Sequence, residues 1–199
     1  MIDAVRVDTL SAPPHPPVTA RIARIARIAR IATDADVPEL ARVINLAYHV
    51  EAEMFHGQRT SEADVRERLG RPNATFLVLD DNTADGRPGR LVGAVFVEVT
   101  ERRGYFGMLA VDPSRQGQGL GRVLVRAVED HCANAGCADL DLDVVDLRAE
   151  LPGFYNALGF TRIGATPYPD PSHTKQPVTL IQMTKPLVVS SDNHSGHRR

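Results

Sequence analysis

Three glycines fall within six residues at Gln116-Gly117-Gln118-Gly119-Leu120-Gly121, and this run limits what the chain can fold into more than any other stretch. Tyr105 to Val111, just before it, is apolar and bounded by turn signals, as a buried strand should be. Asp112, Pro113 and Ser114 break that strand. After the glycines, Leu120, Val123, Leu124, Ala127, Val128 and Cys132 recur at helical spacing and form one apolar stripe. Gly136 stands where a left-handed cap should end that helix. A glycine-rich loop that opens a helix presents amide N–H groups without internal partners. The helix dipole adds partial positive charge there, and glycines let a bulky anion approach the backbone. The ligand expected at such a loop is a phosphate or pyrophosphate. A tight connection without any ligand fits the same residues, and the loop alone leaves both readings open.

Two rival nucleotide motifs fit less well. A P-loop needs Lys and then Ser or Thr after its last glycine, whereas Arg122 and Val123 follow Gly121. A Rossmann turn packs its glycines directly after the strand, but here Asp112 to Arg115 intervene and the third glycine comes early. Asp141 or Asp143 does lie near the ribose-binding distance, so the dinucleotide reading is weakened, not eliminated.

The run "QGQGLG" resembles the Q/R-x-x-G-x-G/A signature of the GNAT family, the GCN5-related N-acetyltransferases. The preceding "GMLAVDP" is similar to that family's fourth strand, and "FYNALGF" downstream to its C-terminal Y-x-x-x-G-F element. The motifs stand in the family's order, and the resemblance covers about Arg27 to Leu187. It implies an α/β (α+β) fold with a mixed, splayed sheet and helices on both faces. It implies acetyl-CoA as co-substrate, no metal, and a primary amine of an unidentified acceptor that attacks directly in a ternary complex. By the same resemblance, main-chain groups of Leu109, Ala110 and Val111 are expected along the pantetheine arm. Gln116, Gly117, Gln118, Gly119, Leu120, Gly121 and Arg122 are expected around the pyrophosphate.

An amine must lose a proton before it can attack, and a carboxylate near the splay can take it. Glu98, on the strand beside the pocket, is the first choice for that base, and Asp143 the second. A backbone N–H near Leu109 would stabilise the developing oxyanion. Tyr155 occupies the family's tyrosine position and is expected to protonate the departing thiolate; packing against the cofactor is its other role. Where the family often carries Asn and Ala upstream of this tyrosine, the chain carries Arg148 and Leu151, with Pro152 added. A non-catalytic acyl-CoA sensor, or an adaptor working through the basic repeat described below, would keep the same glycine loop and remains an alternative.

Composition sets the remaining bounds. A chain of 199 residues is long enough for one domain with a core. Hydrophobic content of 43% and charged content of 24% suit a globular protein. A net charge of -2 gives no ground for nucleic-acid or membrane attraction. The expected partner is a small-molecule or peptide amine, with a homodimer left open. No apolar run approaches membrane-spanning length and no signal-peptide core follows Met1, so the cytoplasm is the default location. Cys132 and Cys137 match no metal spacing and read as buried free thiols, with a redox pair as the alternative.

Taken in order, residues 1–20 contain "SAPPHPPV" and read as a disordered arm, with His15 solvated among the prolines. "ARIARIARIARIA" then repeats every three residues, a period that matches neither strand nor helix. A basic segment that grips an acidic partner is one reading; a sequence expansion leading into a first strand near Ile28 to Ala32 is preferred. The acetyltransferase domain is expected over 21–187 and a disordered tail, with His194 and His197, over 188–199. Thr33 and Asp36 start a helix whose stripe is Val37, Leu40, Ala41, Ile44, Ala47 and Tyr48. His49, Glu51, Glu53, His56 and Arg59 follow; the resemblance makes them candidates to face the acceptor, and a solvated connection is the default for each. A second short helix runs from Ser61 to Gly70, then strands Thr75–Leu79 and Leu91–Thr100 flank the turn "DDNTADGRPG". Past the central helix, Ala138–Val145 carries Asp139, Asp141 and Asp143 on one face, either a cation site or a solvated face. Helix Glu150–Leu158 and strands Phe160–Gly164 and Val178–Met183 complete the order β-α-α-β-β-β-α-β-α-β-β. Hairpins beside a βαβ crossover call for a mixed sheet covered on both faces.

Overall fold

Among the described residues the repeat is represented by its last copy, Ala29 to Ala32. In the computed structural model, which describes residues 29–82 and 88–188, strand β1 is Ala29–Ile31. The expected arm, most of the repeat, the tip of the "DDNTADGRPG" turn and the tail beyond Val188 lie outside the described residues. Arg30 ties β1 down by pairing with Asp36 and Asp80, both at 2.8 Å. Its guanidinium holds the Asp36 carboxyl at a pKa of about 2. Thr33 N–H also donates to the Asp36 carboxylate at 2.8 Å, as expected of a helix-start pair.

Helix α1 spans Val37–Tyr48 with Pro38 in its first turn, where a missing N–H costs nothing. Helix α2 spans Glu62–Leu69, and the Ser61 hydroxyl caps it by accepting the Asp64 N–H at 3.1 Å. Strands β2 (Ala74–Asn82), β3 (Pro88–Thr100) and β4 (Arg103–Val111) form an antiparallel meander. Helix α3 (Leu120–Asn134) crosses over to β5 (Asp139–Val145), which lies parallel to β4. Helix α4 (Glu150–Asn156) and strands β6 (Thr161–Pro167) and β7 (Thr179–Pro186) follow. The seven strands are ordered β1-β2-β3-β4-β5-β7-β6, so the sheet is mixed, as expected.

Alternating side chains divide the core between the two sheet faces. On one face Leu40, Val43 and Ile44 of α1 and Val65 of α2 pack on Phe76, Val78 and Phe96. On the other, Leu124, Val125, Val128 and Cys132 of α3 pack on Val95, Val97, Phe106 and Leu140, with Tyr155 of α4 in the same cluster. Each fully buried aliphatic side chain there contributes roughly 1.5–3 kcal/mol. Gly136 takes φ 84° after α3, the left-handed cap its position calls for. Cys132 and Cys137 are free and buried, and burial pushes the Cys132 thiol up to about 12.

The seam between β4 and β5 is paired at one end only. Arg103↔Asp139, Gly104↔Leu140 and Tyr105↔Asp141 are in register, and pairing stops there. Just beyond, the β3–β4 register slips between Ala94 and Phe96, and Met108 adopts φ 51°. A bulge of this kind bends its strand, and here β4 turns away from β5. The two strands diverge and leave the sheet split.

Candidate active site

The split opens into a cleft of ≈ 960 Å³, near the upper end of the roughly 300–1,000 Å³ typical of small-molecule sites. Leu109 and Val111 of β4 line one wall, and Leu142 and Asp143 of β5 the other. Past Tyr105, β4 has no strand partner on its β5 side, so its main-chain groups there face the cleft without a ladder.

The glycine run sits at one end. Gly117 and Gly119 both take left-handed backbone conformations, at φ 73° and 80°, which only glycine adopts freely. A Cβ built on either meets no atom within 4 Å, so the surface they leave is open. Gly119 is the N-cap of α3, and the first N–H groups of that helix end at the cleft. Gln116, Gly117, Gly119, Leu120, Gly121 and Arg122 all line it. Arg122 is held over the Phe154 ring at 5.7 Å. This cradle suits a pyrophosphate, and the unpaired edge of β4 suits an amide-bearing arm beside it. The side chains of two residues of the expected set do not line the cleft. Ala110 is fully buried in the α1 face of the core, and Gln118 is exposed without lining the cleft.

The other end is built from side chains. Tyr155 lines the cleft at the end of α4, only 6% exposed and packed edge-on to Phe154 and Phe160. Burial pushes its phenol well above the ordinary tyrosine value, so it stays protonated. Asp143 projects into the same space from β5, where partial desolvation, and then the Asp141 charge, raise its pKa. Tyr105 lies beside Asp143, and its own phenol is pushed up to about 12, mainly by burial. The three aspartates of β5 therefore divide. Arg103 grips Asp141 with two bonds of 2.7 and 2.8 Å and reaches Asp139 at 3.1 Å, while Asp143 stands past the point where the strands part.

Glu98, the first choice for a base, does not line the cleft. It lies opposite Tyr105 on β3, level with the paired end of the seam, and its charge acts on Arg71 instead. The bulge in β4 opens the sheet one strand further over, so the carboxylate that faces the opening comes from β5.

Of the candidates after α1, Glu51 and Arg59 line the cleft, His49 and His56 line only an adjoining cavity, and Glu53 lines neither. Glu51 is buried and paired to Arg148 at 3.1 Å; burial raises its carboxyl pKa against the pull of Arg59 and Arg148. Arg148 also reaches Glu150 at 2.6 Å. The departure at this position thus fixes the wall of the cleft. Arg59 is stacked over the Tyr48 ring at 5.0 Å. Tyr48, Tyr105, Tyr168 and His173 were not singled out in the sequence as site residues; for Tyr105 the signal was alternation along β4 past Gly107, whose missing Cβ leaves room 3.3 Å from its hydroxyl.

A strap borders this end. Phe55 forms a β-bridge with Thr174, His56 N–H donates to the His173 carbonyl at 2.9 Å, and Lys175 N–H to the Met54 carbonyl at 2.9 Å. The Lys175 ammonium adds a bond to the Ala52 carbonyl at 2.7 Å, and Phe55 and Tyr168 stack at 5.3 Å. Among the described residues no cluster of His, Cys, Asp or Glu could hold a metal, and no helix is long and apolar enough to cross a membrane.

Known proteins resemble the chain in sequence and in fold. Mycothiol acetyltransferase from Gordonia bronchialis is 32% identical over 133 residues, which is 64% of this chain and 41% of that protein. The enzyme of the same name from Mycobacterium avium is 32% identical over 145 residues, 67% of this chain and 44% of that one. The chain thus spans about two fifths of the length of these curated relatives. Among solved structures, the ribosomal-protein-S18-alanine N-acetyltransferase from Escherichia coli superposes with a TM-score of 0.61 at 24% identity, covering 84% of this chain and 98% of that one. The GNAT superfamily phosphinothricin acetyltransferase from Sinorhizobium meliloti, solved with acetyl-CoA, gives 0.64 at 16% identity, covering 84% and 92%. These likenesses show a shared fold. Residues 42–160, more than half of the chain, match the model of the Acetyltransferase (GNAT) family, and the chain belongs to that family.

Proposed function

We propose that the protein is an acetyl-CoA-dependent N-acetyltransferase acting on a primary amine in the split between β4 and β5. The observation that carries this reading is the junction, in one cleft, of an open glycine cradle with the Asp143 carboxylate and the Tyr155 phenol. Acetyl-CoA supplies the acyl thioester when bound. The amides at Gly117 to Gly121 hold its diphosphate, and the free edge of β4 at Leu109 and Val111 aligns its arm.

Asp143 takes a proton from the acceptor ammonium, directly or through a water. Burial raises its pKa toward neutrality, the direction in which a carboxylate becomes a better base. The freed nitrogen lone pair forms the N–C bond as the C–S bond breaks. A β4 N–H near Leu109 offers a donor to the developing oxyanion. Tyr155 gives its proton to the departing thiolate and regains one from the new amide nitrogen. Its burial among aromatic rings keeps that proton in place until the sulfur takes it.

The names of the similar proteins refer to molecules as different as mycothiol and a ribosomal-protein alanine, so no acceptor is carried over from them. Free buried thiols at Cys132 and Cys137 fit a reducing cytoplasm. The test is a thiol-release assay with acetyl-CoA over polyamines, aminoglycosides, amino acids and peptide N-termini. Turnover with one class supports the enzyme. A melting temperature raised by acetyl-CoA without turnover on any amine identifies an acyl-CoA-binding module instead.

A further inference from the structure

We propose that the acceptor is a small amino-acid zwitterion, its ammonium at Asp143 and its carboxylate on Arg59. The inference deepens the function proposed above and rests on it. It follows from which charges in the cleft already have partners. Arg148 is committed to Glu51 and Glu150, at 3.1 and 2.6 Å. Arg68 is committed to Asp64 at 3.2 Å, and Asp170 to His173 at 2.8 Å. Arg122 belongs to the glycine end, over Phe154. Two charged groups of the lining remain, Arg59 and Asp143. Among the described residues neither is in a salt bridge: Arg59 acts on Glu51 from a distance and meets Tyr168, Asp143 meets Tyr105, and the two have opposite signs.

Their placement fits one short molecule. Arg59, Tyr105 and Asp143 line the same cleft, and both charges act on the Tyr105 phenol. Arg59 is held in place by the Tyr48 ring beneath it at 5.0 Å, which fixes the plane of a group that binds carboxylates with two parallel bonds. One uncommitted cation matches a monoanion better than a phosphate dianion. The strap joining Phe55 to Thr174 and His56 to His173 walls the same end, with Phe55, Tyr168 and His173 in the lining, and a wall there favours a free small molecule over an extended chain. The bonds made and broken are those already given; Arg59 binds and orients, and takes no proton.

The experiment compares α-, β- and γ-amino acids with their carboxamides in the thiol-release assay, together with a phosphorylated amino sugar and a polyamine. The parent protein, Arg59→Met and Arg59→Lys are assayed, each first checked for a melting temperature raised by acetyl-CoA. At least one amino acid should exceed its amide by about 10- to 100-fold in kcat/KM, the worth of a charge-assisted bidentate pair. Arg59→Met should erase that preference through KM, with kcat changed much less, and Arg59→Lys should restore part of it. Equal rates for acid and amide, a preference that survives Arg59→Met, or best turnover on the polyamine or the phosphorylated sugar would overturn the zwitterion while leaving the acetyltransferase intact. Absence of stabilisation by acetyl-CoA in the parent would overturn the acetyltransferase itself, and the zwitterion with it.

Discussion

The two ends of the β4–β5 seam use the same pair of strands for opposite purposes. At the closed end three residue pairs are in register, Arg103 bridges to Asp139 and Asp141, and Gly104 lies against α3 so tightly that a Cβ would sit 2.5 Å from the Cys132 sulfur. At the open end, two residues further along β5, Asp143 has no cross-strand partner on β4 and the strands bound a cleft. The difference arises neither from β5, whose alternation is unbroken, nor from its charges, which are alike. It arises from the bulge at Met108 on the neighbouring strand. A local irregularity thus converts a sheet position from scaffold to site, which is where bulges are commonly found.

The largest effect should come from filling the cradle at the far side of the open end. Gly119→Asp places a carboxylate where a diphosphate is proposed to rest, and should abolish the rise in melting temperature caused by acetyl-CoA. The unliganded variant should melt within a few degrees of the parent, since a left-handed position costs an L residue roughly 1 kcal/mol. A shift of parental size in this variant would remove the loop from the binding site.

Next comes Asp143→Asn, which should lower kcat by about 10²- to 10⁴-fold. Its pH profile sharpens the contrast. The parent should lose kcat/KM as pH falls, at a pH above the usual carboxylate range because burial raises the Asp143 pKa. The variant should lack that limb. Stability runs the other way. A carboxyl with a raised folded-state pKa favours the fold when protonated, and that contribution is lost as pH rises through the folded pKa. Asp143→Asn should therefore melt no lower than the parent at neutral pH, measured by calorimetry. A variant that loses activity and stability together would mean that Asp143 is a structural residue.

Tyr155→Phe should follow with a fall in kcat on the order of 10²-fold and near-normal acetyl-CoA affinity. The loss should shrink for an acyl donor with a more acidic thiol. Parental turnover would leave Tyr155 as packing for Phe106 and Phe160.

What the sequence disclosed follows from how each end is encoded. The order of all eleven elements was legible, because apolar periodicity and turn residues are local signals. So was the glycine cradle, whose residues are adjacent in the chain. The acceptor end was legible only in pieces. Glu51, Arg59, Tyr105, Asp143 and Arg148 come from separate elements, and no local pattern says which of their charges find partners. Period-two alternation put three aspartates on one face of β5 but could not say where the seam opens. That depends on a register slip in β3–β4, which a hydrophobic pattern does not encode. Glu98 stays off the cleft lining for the same reason, because it sits level with the paired end of the seam.

At the closed end the expected effects are on stability. Gly104→Ala should cost about 1–3 kcal/mol, because the added methyl meets the Cys132 sulfur and the Leu140 side chain, both held in the core. The melting temperature should fall by about 2–4 °C per kcal/mol in a chain of this size, with kcat per folded molecule retained. A fall in kcat without a fall in melting would mean that the closed end transmits its packing to the cleft.

The smallest effect should come from Asp141→Asn, the same substitution as at Asp143 on the same strand face. Arg103 is 53% exposed, so its paired bonds to Asp141 compete with water and are screened by salt. The introduced amide would keep one acceptor oxygen, and Arg103 would keep Asp139 at 3.1 Å. The expected loss is a few tenths of a kcal/mol, up to about 1, and it should vanish in high salt. Turnover should match the parent, because Asp141 lies behind the point where the strands part and does not line the cleft. Asp141 also carries one of the charges that raise the Asp143 pKa, so its removal should shift the acid limb of kcat/KM slightly toward lower pH. That shift separates the two aspartates more finely than either rate. A limb displaced upward, or turnover lost as fully as in Asp143→Asn, would show that both aspartates serve the site and that the seam opens further back than Tyr105.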